Sequence, residues 1–406
     1  MNERLFYVFA SVLILASADS AVAQNDVPAS VAEVQTAVEK GLFFVEKTAI
    51  AWWKKEKCVS CHDGPMLMFS HNIAKRQGFP IDQKKLDFWM DQWILPGGLK
   101  SKRKSDGRKD AGGMVLAPIT MLFRDLDRDT NPARAANLAK LMQIAGKDWQ
   151  KDDGSWETSV KFDYRPWIAL ALESFEKSAM PKDDPIHKAI AERGRRTEVL
   201  LQSIERPVSE KSEELAGWLV YEHRRGNKDR KELLLKELLS RQRDDGMWGI
   251  TIESDHGHYL VTGSVLFALT SIGLDTGHPV VRQAQRILLD GQKDEGYWEE
   301  GGRIFDDGSD TLNDVYQCGA TAVACAALSQ TVKLPAGTKR LFTPDPKLAQ
   351  AVDKMAANAA KDYDGKAEKS MKKIEMPDSS TEEESTPAPS GTKPVRESPV
   401  DQPTPE

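Results

Sequence analysis

The sequence predicts an all-α fold in which six outer and six inner helices alternate along the chain and close into a ring, an α6/α6 toroid, followed by a disordered C-terminal tail. Three observations predict it. The segments Gln150-Lys-Asp-Asp-Gly154-Ser-Trp156, Gln242-Arg-Asp-Asp-Gly246-Met-Trp248 and Gln292-Lys-Asp-Glu-Gly296-Tyr-Trp298 share the pattern Q-x3-G-x-W. The last two start 50 residues apart and the first two 92 apart, close to two such units, which is the signature of a repeat array. Each motif follows an amphipathic run and precedes a more apolar run rich in Ala, Gly and Thr, so a surface helix and a buried helix alternate.

Taken in order, the chain opens on a short positive region at Arg4, an apolar run from Leu5 to Ala16, and Ala21-Val22-Ala23 before Gln24. This is the pattern of a cleavable signal peptide over 1–23. The run is too short to span a bilayer, and no later stretch is long enough, so no transmembrane segment is expected. The protein is expected to be periplasmic or secreted. The toroid is expected over 24–340. Its outer helices are expected at 31–53, 83–94, 132–150, 185–202, 228–243 and 279–292. Its inner helices are expected at 65–77, 114–127, 164–177, 212–225, 258–272 and 311–329. The motif glycine supplies a left-handed helix stop, and the tryptophan packs back as an apolar anchor with a polar N–H. Residues 341–406 read as a helical extension and then a Pro/Ser/Thr/Glu-rich tail, which buries too little apolar surface to order itself.

The Q-x3-G-x-W motifs resemble the repeats of the squalene cyclase and prenyltransferase toroid superfamily. The resemblance covers roughly residues 31–332. It implies that Gln150, Gly154, Trp156 and their counterparts tie neighbouring outer helices together. It also implies a cavity opening at the N-terminal ends of the inner helices. The acid motif DxDD of the squalene and hopene cyclases is missing here, and no zinc set of the protein prenyltransferases is present. The fold is therefore implied without the family's reaction.

The first repeat departs from the pattern. Where its motif should close stands Cys58-Val59-Ser60-Cys61-His62. Two thiols three apart, followed at once by an imidazole, suit c-type haem: each thiol can form a thioether to a vinyl group, and His62 can ligate the iron. Half of a zinc site and a redox dithiol are the alternatives. The redox reading lacks a βαβ context, and Cys318 and Cys325, the remaining cysteines, read as small core residues in an Ala-rich helix. His256 or His258, at the start of the fifth inner helix, is the expected sixth ligand. Met66, Met68 and His71 compete, with Met66 and Met68 reading as core filler and His71 as a surface residue. His187, His223 and His278 read as outer-surface or turn residues. Asp163, Asp255 and Asp310 stand near inner-helix starts, where aspartate caps helices and where an acid can also line the cavity.

A net charge of −6 excludes a general nucleic-acid footprint. The basic run from Lys100 to Lys109 suits a solvated loop between helices, or the docking of an anionic redox partner or lipid headgroups. Three functions remain open: a haem c protein for electron transfer or ligand sensing, a cavity enzyme acting on a hydrophobic or carbohydrate substrate through carboxylates, and a non-catalytic binding scaffold. No catalytic residue is assigned from the sequence.

Overall fold

The computed structural model describes residues 28–56, 63–93, 150–156, 165–177, 181–205, 209–300 and 310–357. Among them the regular structure is helical. The outer helices are α1 (Val31–Glu56), α3 (Gln83–Trp93), α5 (Pro185–Ser203), α7 (Lys228–Ser240) and α9 (Pro279–Gly291). The inner ones are α2 (Asp63–Arg76), α4 (Arg165–Glu176), α6 (Ser212–Arg225), α8 (Tyr259–Ser271) and α10 (Asp310–Gln330). Local chemistry sets their ends. Ser30 and Glu33 form a reciprocal capping box at α1. Asp184 caps α5 ahead of Pro185, and Gly226 ends α6 in the left-handed region. The expected signal peptide, the Cys58–His62 pentapeptide, the helix expected at 114–127, the one expected at 132–150 except Gln150, the basic run and the tail beyond 357 lie outside the described residues.

The inner helices form an arc in the order α4, α6, α8, α10, α2, and each outer helix packs on an inner neighbour. Since α10 packs on both α1 and α2, the last pair of the ring meets the first. This is the α/α toroid. Inner helices α2, α8 and α10 run parallel. Their C-terminal ends align, because Thr270 Oγ1 donates to Gln330 Oε1 at 2.5 Å and Leu334 N donates to Gln77 O at 2.8 Å. Their N-terminal ends therefore share the opposite rim.

The Q-x3-G-x-W residues supply the closure. Gln150 Nε2 donates to Arg193 O and Thr197 Oγ1 of α5, both at 2.9 Å, and Trp156 Nε1 reaches the same hydroxyl. Gln242 Nε2 donates to Gly246 O at 2.9 Å and lies 3.5 Å from Val280 O of α9. Gln292 Nε2 donates to Ala37 O of α1 at 2.8 Å, so the last outer helix is clamped to the first. Trp248 and Trp298 are fully buried. Each donates its Nε1–H to its own outer helix, at Leu238 O or Leu288 O, while its backbone N–H donates to Thr262 or Thr321 on the following inner helix. One residue thus locks an outer–inner pair and leaves no buried donor unsatisfied.

After the last inner helix, the chain runs back over the first repeat. Glu39 of α1 accepts from Leu341 N and Phe342 N at 2.8 and 2.7 Å, and Gln35 donates to Lys339 O at 2.8 Å. The helical extension over 346–357 buries Val352 against the body. Residues 341–357 are thus part of the packed structure.

Gly296 tests the closure. Its φ is +94°, and an added Cβ would stand 2.6 Å from the Lys40 carbonyl oxygen. Gly296→Ala must cost the left-handed penalty and push two backbones apart, an expected loss of about 3 kcal/mol or more. Gly273→Ala, at φ +81° with nothing within 4 Å, is expected to cost only ~1–2 kcal/mol. Urea unfolding of the two variants measures the difference.

Candidate functional site at the inner-helix rim

Helix α2 begins at Asp63, the residue after His62. Asp63 is buried, and its carboxylate is close enough to the Cys318 thiol of α10 to act on it. Burial, followed by the influence of Asp63, pushes the Cys318 thiol well above its ordinary range, so it stays protonated. Cys325 is likewise buried, and burial raises its thiol too. The chain leaving the pentapeptide is in this way pinned to α10 at the rim.

Next along the arc, His258 is the N-cap residue of α8. It is 3% exposed, its backbone N–H donates to Trp248 O at 2.9 Å, and its Nδ1 lies 3.2 Å from Glu300 Oε2. The other oxygen of Glu300 accepts from Leu260 N, so the carboxylate spans the first turn of α8. With a carboxylate opposite, Nδ1 is the ring nitrogen placed to donate to Glu300. The His256 ring is 4.5 Å from that of His258, but His256 is exposed and pairs with Asp255.

Around the same rim, α6 opens with Glu213 and Glu214. Lys211 pairs with Glu214 at 3.3 Å. Burial, then the charge of Glu214, and also that of Glu300, raise Glu213 to about 7, against a smaller opposing pull from Lys211. Below the rim, the ring's interior is closed by aromatic contacts. Phe69 of α2 meets Phe267 of α8 edge-on at 5.3 Å, and Trp167 of α4 stands 6.3 Å from Phe267. Phe69 lies about 9 Å down its helix from Asp63, and Phe267 about 12 Å below Tyr259.

The remaining sequence candidates are not at this rim. His71 was expected at the surface, yet it is 5% exposed. Its Nδ1 bonds Leu67 O at 2.8 Å and its ring meets Trp89 edge-on, so it is covered by the outer helix α3. Burial lowers its pKa to about 4. Met68 is buried in the core and Met66 packs half-buried against it. His187, also expected outside, is buried on α5, whereas His223 is exposed and His278 caps α9. Asp163 and the Asp310 side chain lie outside the described residues.

A cavity of about 210 Å³ lies on the outer side of the first repeat, lined by Glu46, His71, Lys85, Trp89, Phe342 and Asp353 among others. The Lys85 ammonium already occupies its charged part. It pairs with Glu46 and, at 2.7 Å, with Asp353, and it sits 5.3 Å over the Trp89 ring. That network joins the 346–357 extension to α1 and α3. Among the described residues no three His, Cys, Asp or Glu side chains converge on a metal position, and no helix is long and apolar enough to cross a membrane.

Glu213 and Glu300 went unnoticed in the sequence. The signal for Glu300 was its place two residues beyond a motif tryptophan. For Glu213 it was an acid in the first turn of an apolar inner helix.

No protein-family model and no curated protein matches the chain. Among solved structures, a polysaccharide lyase is similar at 13% identity and TM-score 0.44, over 72% of this chain and 96% of that one. A glycosyl hydrolase family 88 protein from Bacteroides vulgatus is similar at 12% identity and TM-score 0.44, over 73% and 99%. A possible GH105 member from Salmonella enterica serovar Paratyphi A stands at 10% and 0.30, over 72% and 82%. At this identity and overlap no functional residue carries over from them.

The raised Glu213 gives a pH test. Its folded pKa, about 7, lies above its ordinary 4.5, so the folded state holds the extra proton and stability falls as pH rises through that window. Glu213→Gln is expected to stabilise the chain at pH 8 by about 1–2 kcal/mol, allowing for the partial exposure of the side chain, and to change little at pH 4. Denaturant melts at the two pH values check this.

Proposed function

We propose that the chain is an exported c-type haem protein. Cys58 and Cys61 hold the group through thioethers and His62 is an axial ligand. The observation that carries this reading is the pentapeptide itself, entering directly into the first inner helix. The buried Asp63–Cys318 contact supports it by fixing the exit of that segment at the rim. In each attachment the thiol adds across a vinyl double bond: the C–S bond forms and the thiol hydrogen passes to the neighbouring carbon, with no external oxidant. The bound group would supply reversible one-electron chemistry or an iron position for a small ligand. The chain's residues hold and orient it. The acidic rim suits an iron whose positive charge needs compensation, and the basic run from Lys100 to Lys109 suits the docking of a redox partner protein.

The test is export alongside a c-type attachment system, denaturation, and a visible spectrum. Haem absorbance is expected to stay with the unfolded wild-type chain and to vanish in the Cys58→Ser, Cys61→Ser double variant. A colourless wild-type chain, with the attachment system shown to load a control cytochrome, overturns the reading.

One observation favours a second reading. Glu213, raised to about 7 by burial and by the charges of Glu214 and Glu300, is a proton-holding carboxyl at the rim that also carries the His258–Glu300 pair. Such a pair suits general acid–base work on a hydroxyl-bearing, carbohydrate-like substrate. Its charge makes a hydrocarbon substrate a poor match. On this reading an oligosaccharide panel yields turnover that Glu213→Gln lowers about 100-fold or more. The Cys58→Ser, Cys61→Ser variant would keep that turnover. Loss of activity in the cysteine variant, or none in any form, sinks it.

A further inference from the structure

We propose that the cavity on the outer side of the first repeat binds a small uncharged aromatic molecule with one hydrogen-bond donor, a phenol in its simplest form, and that His71 accepts that hydrogen bond. The site is separate from the rim and does not rest on haem attachment. Size comes first. The cavity measures about 210 Å³. An apolar cavity of about 150 Å³ is enough to hold benzene, so one substituted ring fits. The walls suit such a ring: Leu42 and Phe43 of α1, Trp89 of α3, and Phe342 of the strap over 339–357. Phe43 and Phe342 stand 6.2 Å apart with their planes tilted by 52°, so an occupant meets aromatic surface from both ends of the chain.

Charge comes second. The lining holds four carboxylates, Glu39, Glu46, Asp82 and Asp353, and two cations, Lys85 and Arg340. All six are engaged. Glu39 accepts from Gln35 Nε2 and from the backbone N–H groups of Leu341 and Phe342. Asp82 Oδ1 accepts from Lys84 N and Lys85 N at the start of α3. Lys85 joins Glu46 to Asp353, and Arg340 donates to Pro80 O. An anionic ligand would meet an excess of carboxylates. A cationic one would compete with Lys85 for the two carboxylates it bridges. A neutral ligand disturbs none of these pairs.

His71 supplies the polar contact. It lines the cavity and is 5% exposed. Its Nδ1 lies 2.8 Å from Leu67 O, and a carbonyl oxygen only accepts, so Nδ1 carries the hydrogen. Burial holds its pKa at about 4, so near pH 7 the ring is neutral and Nε2 keeps its lone pair. The hydrogen bonds of this side chain among the described residues are made at Nδ1, which leaves Nε2 as the acceptor for a ligand O–H.

The experiment titrates the full exported chain, labelled with ¹⁵N at histidine, with phenol, toluene, benzoate and benzylamine at pH 7, by calorimetry and by nuclear magnetic resonance. Phenol is expected to bind about 3–10-fold more tightly than toluene, the worth of one neutral hydrogen bond, and both more tightly than the charged pair. Phenol, and not toluene, is expected to shift the His71 Nε2 resonance. His71→Leu is expected to bring phenol down to the affinity of toluene. Ala349→Phe, which fills the cavity from the half-buried face of the strap, is expected to abolish binding of both. Should His71→Leu fail to fold, the Nε2 shift in the wild type and the Ala349→Phe variant decide. Phenol that does not bind, binds no more tightly than toluene, or leaves Nε2 unmoved overturns the proposal. So does phenol binding retained in Ala349→Phe, or tighter binding of benzoate or benzylamine.

Discussion

The ring depends on one contact, the docking of the Gln292–Trp298 turn on the first outer helix. Gln292 bonds the Ala37 carbonyl, and Gly296 brings its backbone so near Lys40 that a methyl group has no room. Earlier copies of the same turn join neighbours in sequence. This copy joins residues some 250 positions apart, so its loop-closure cost is the largest of the three. The buried Trp298 and the close approach of Gly41 to Cys325 offset that cost with apolar contact. Closure places α10 beside α2, and from that follows the proximity of Asp63 to Cys318. The strap over 339–357 reinforces the same seam through Gln35 and Glu39.

Closure also sorts charge. Parallel inner helices bring their N-terminal dipoles to one rim, where unsatisfied N–H groups favour anions. Asp63, Glu213, Glu214 and Glu300 are the groups found there. Glu213 shows the limit of that stabilisation: burial and two neighbouring carboxylates outweigh the helix end and Lys211, and the proton stays on. The opposite balance holds at His71, where burial beside Lys85 keeps an imidazole neutral down to about 4. The outer cavity, by contrast, is lined by a lysine that already has two carboxylate partners.

Much of this was legible in the sequence because it is local. The helix starts at Val31, Pro185, Ser212, Lys228 and Pro279 follow from caps, proline and periodicity, and the three Q-x3-G-x-W turns follow from direct repetition. What escaped is non-local. His71 reads as a surface histidine by its polar neighbours Ser70 and Asn72, but α3 and the 340–353 strap cover that face of α2 from distant parts of the chain. His187 is likewise buried, on α5. The partner of His258 is 42 residues away and lies beyond an outer helix, so no spacing rule points to Glu300. Asp63, read as a turn residue, became a buried anchor only because the ring closes on Cys318.

The measurement that bears most directly on the account is the intact mass of the exported chain from cells carrying a c-type haem attachment system. The account predicts a single species that begins at Gln24 and carries one haem on Cys58 and Cys61, with Cys318 and Cys325 unmodified. A chain of unmodified mass with all four thiols free, from cells that load a control cytochrome, would contradict it and leave the carboxylates of the rim as the basis of its function.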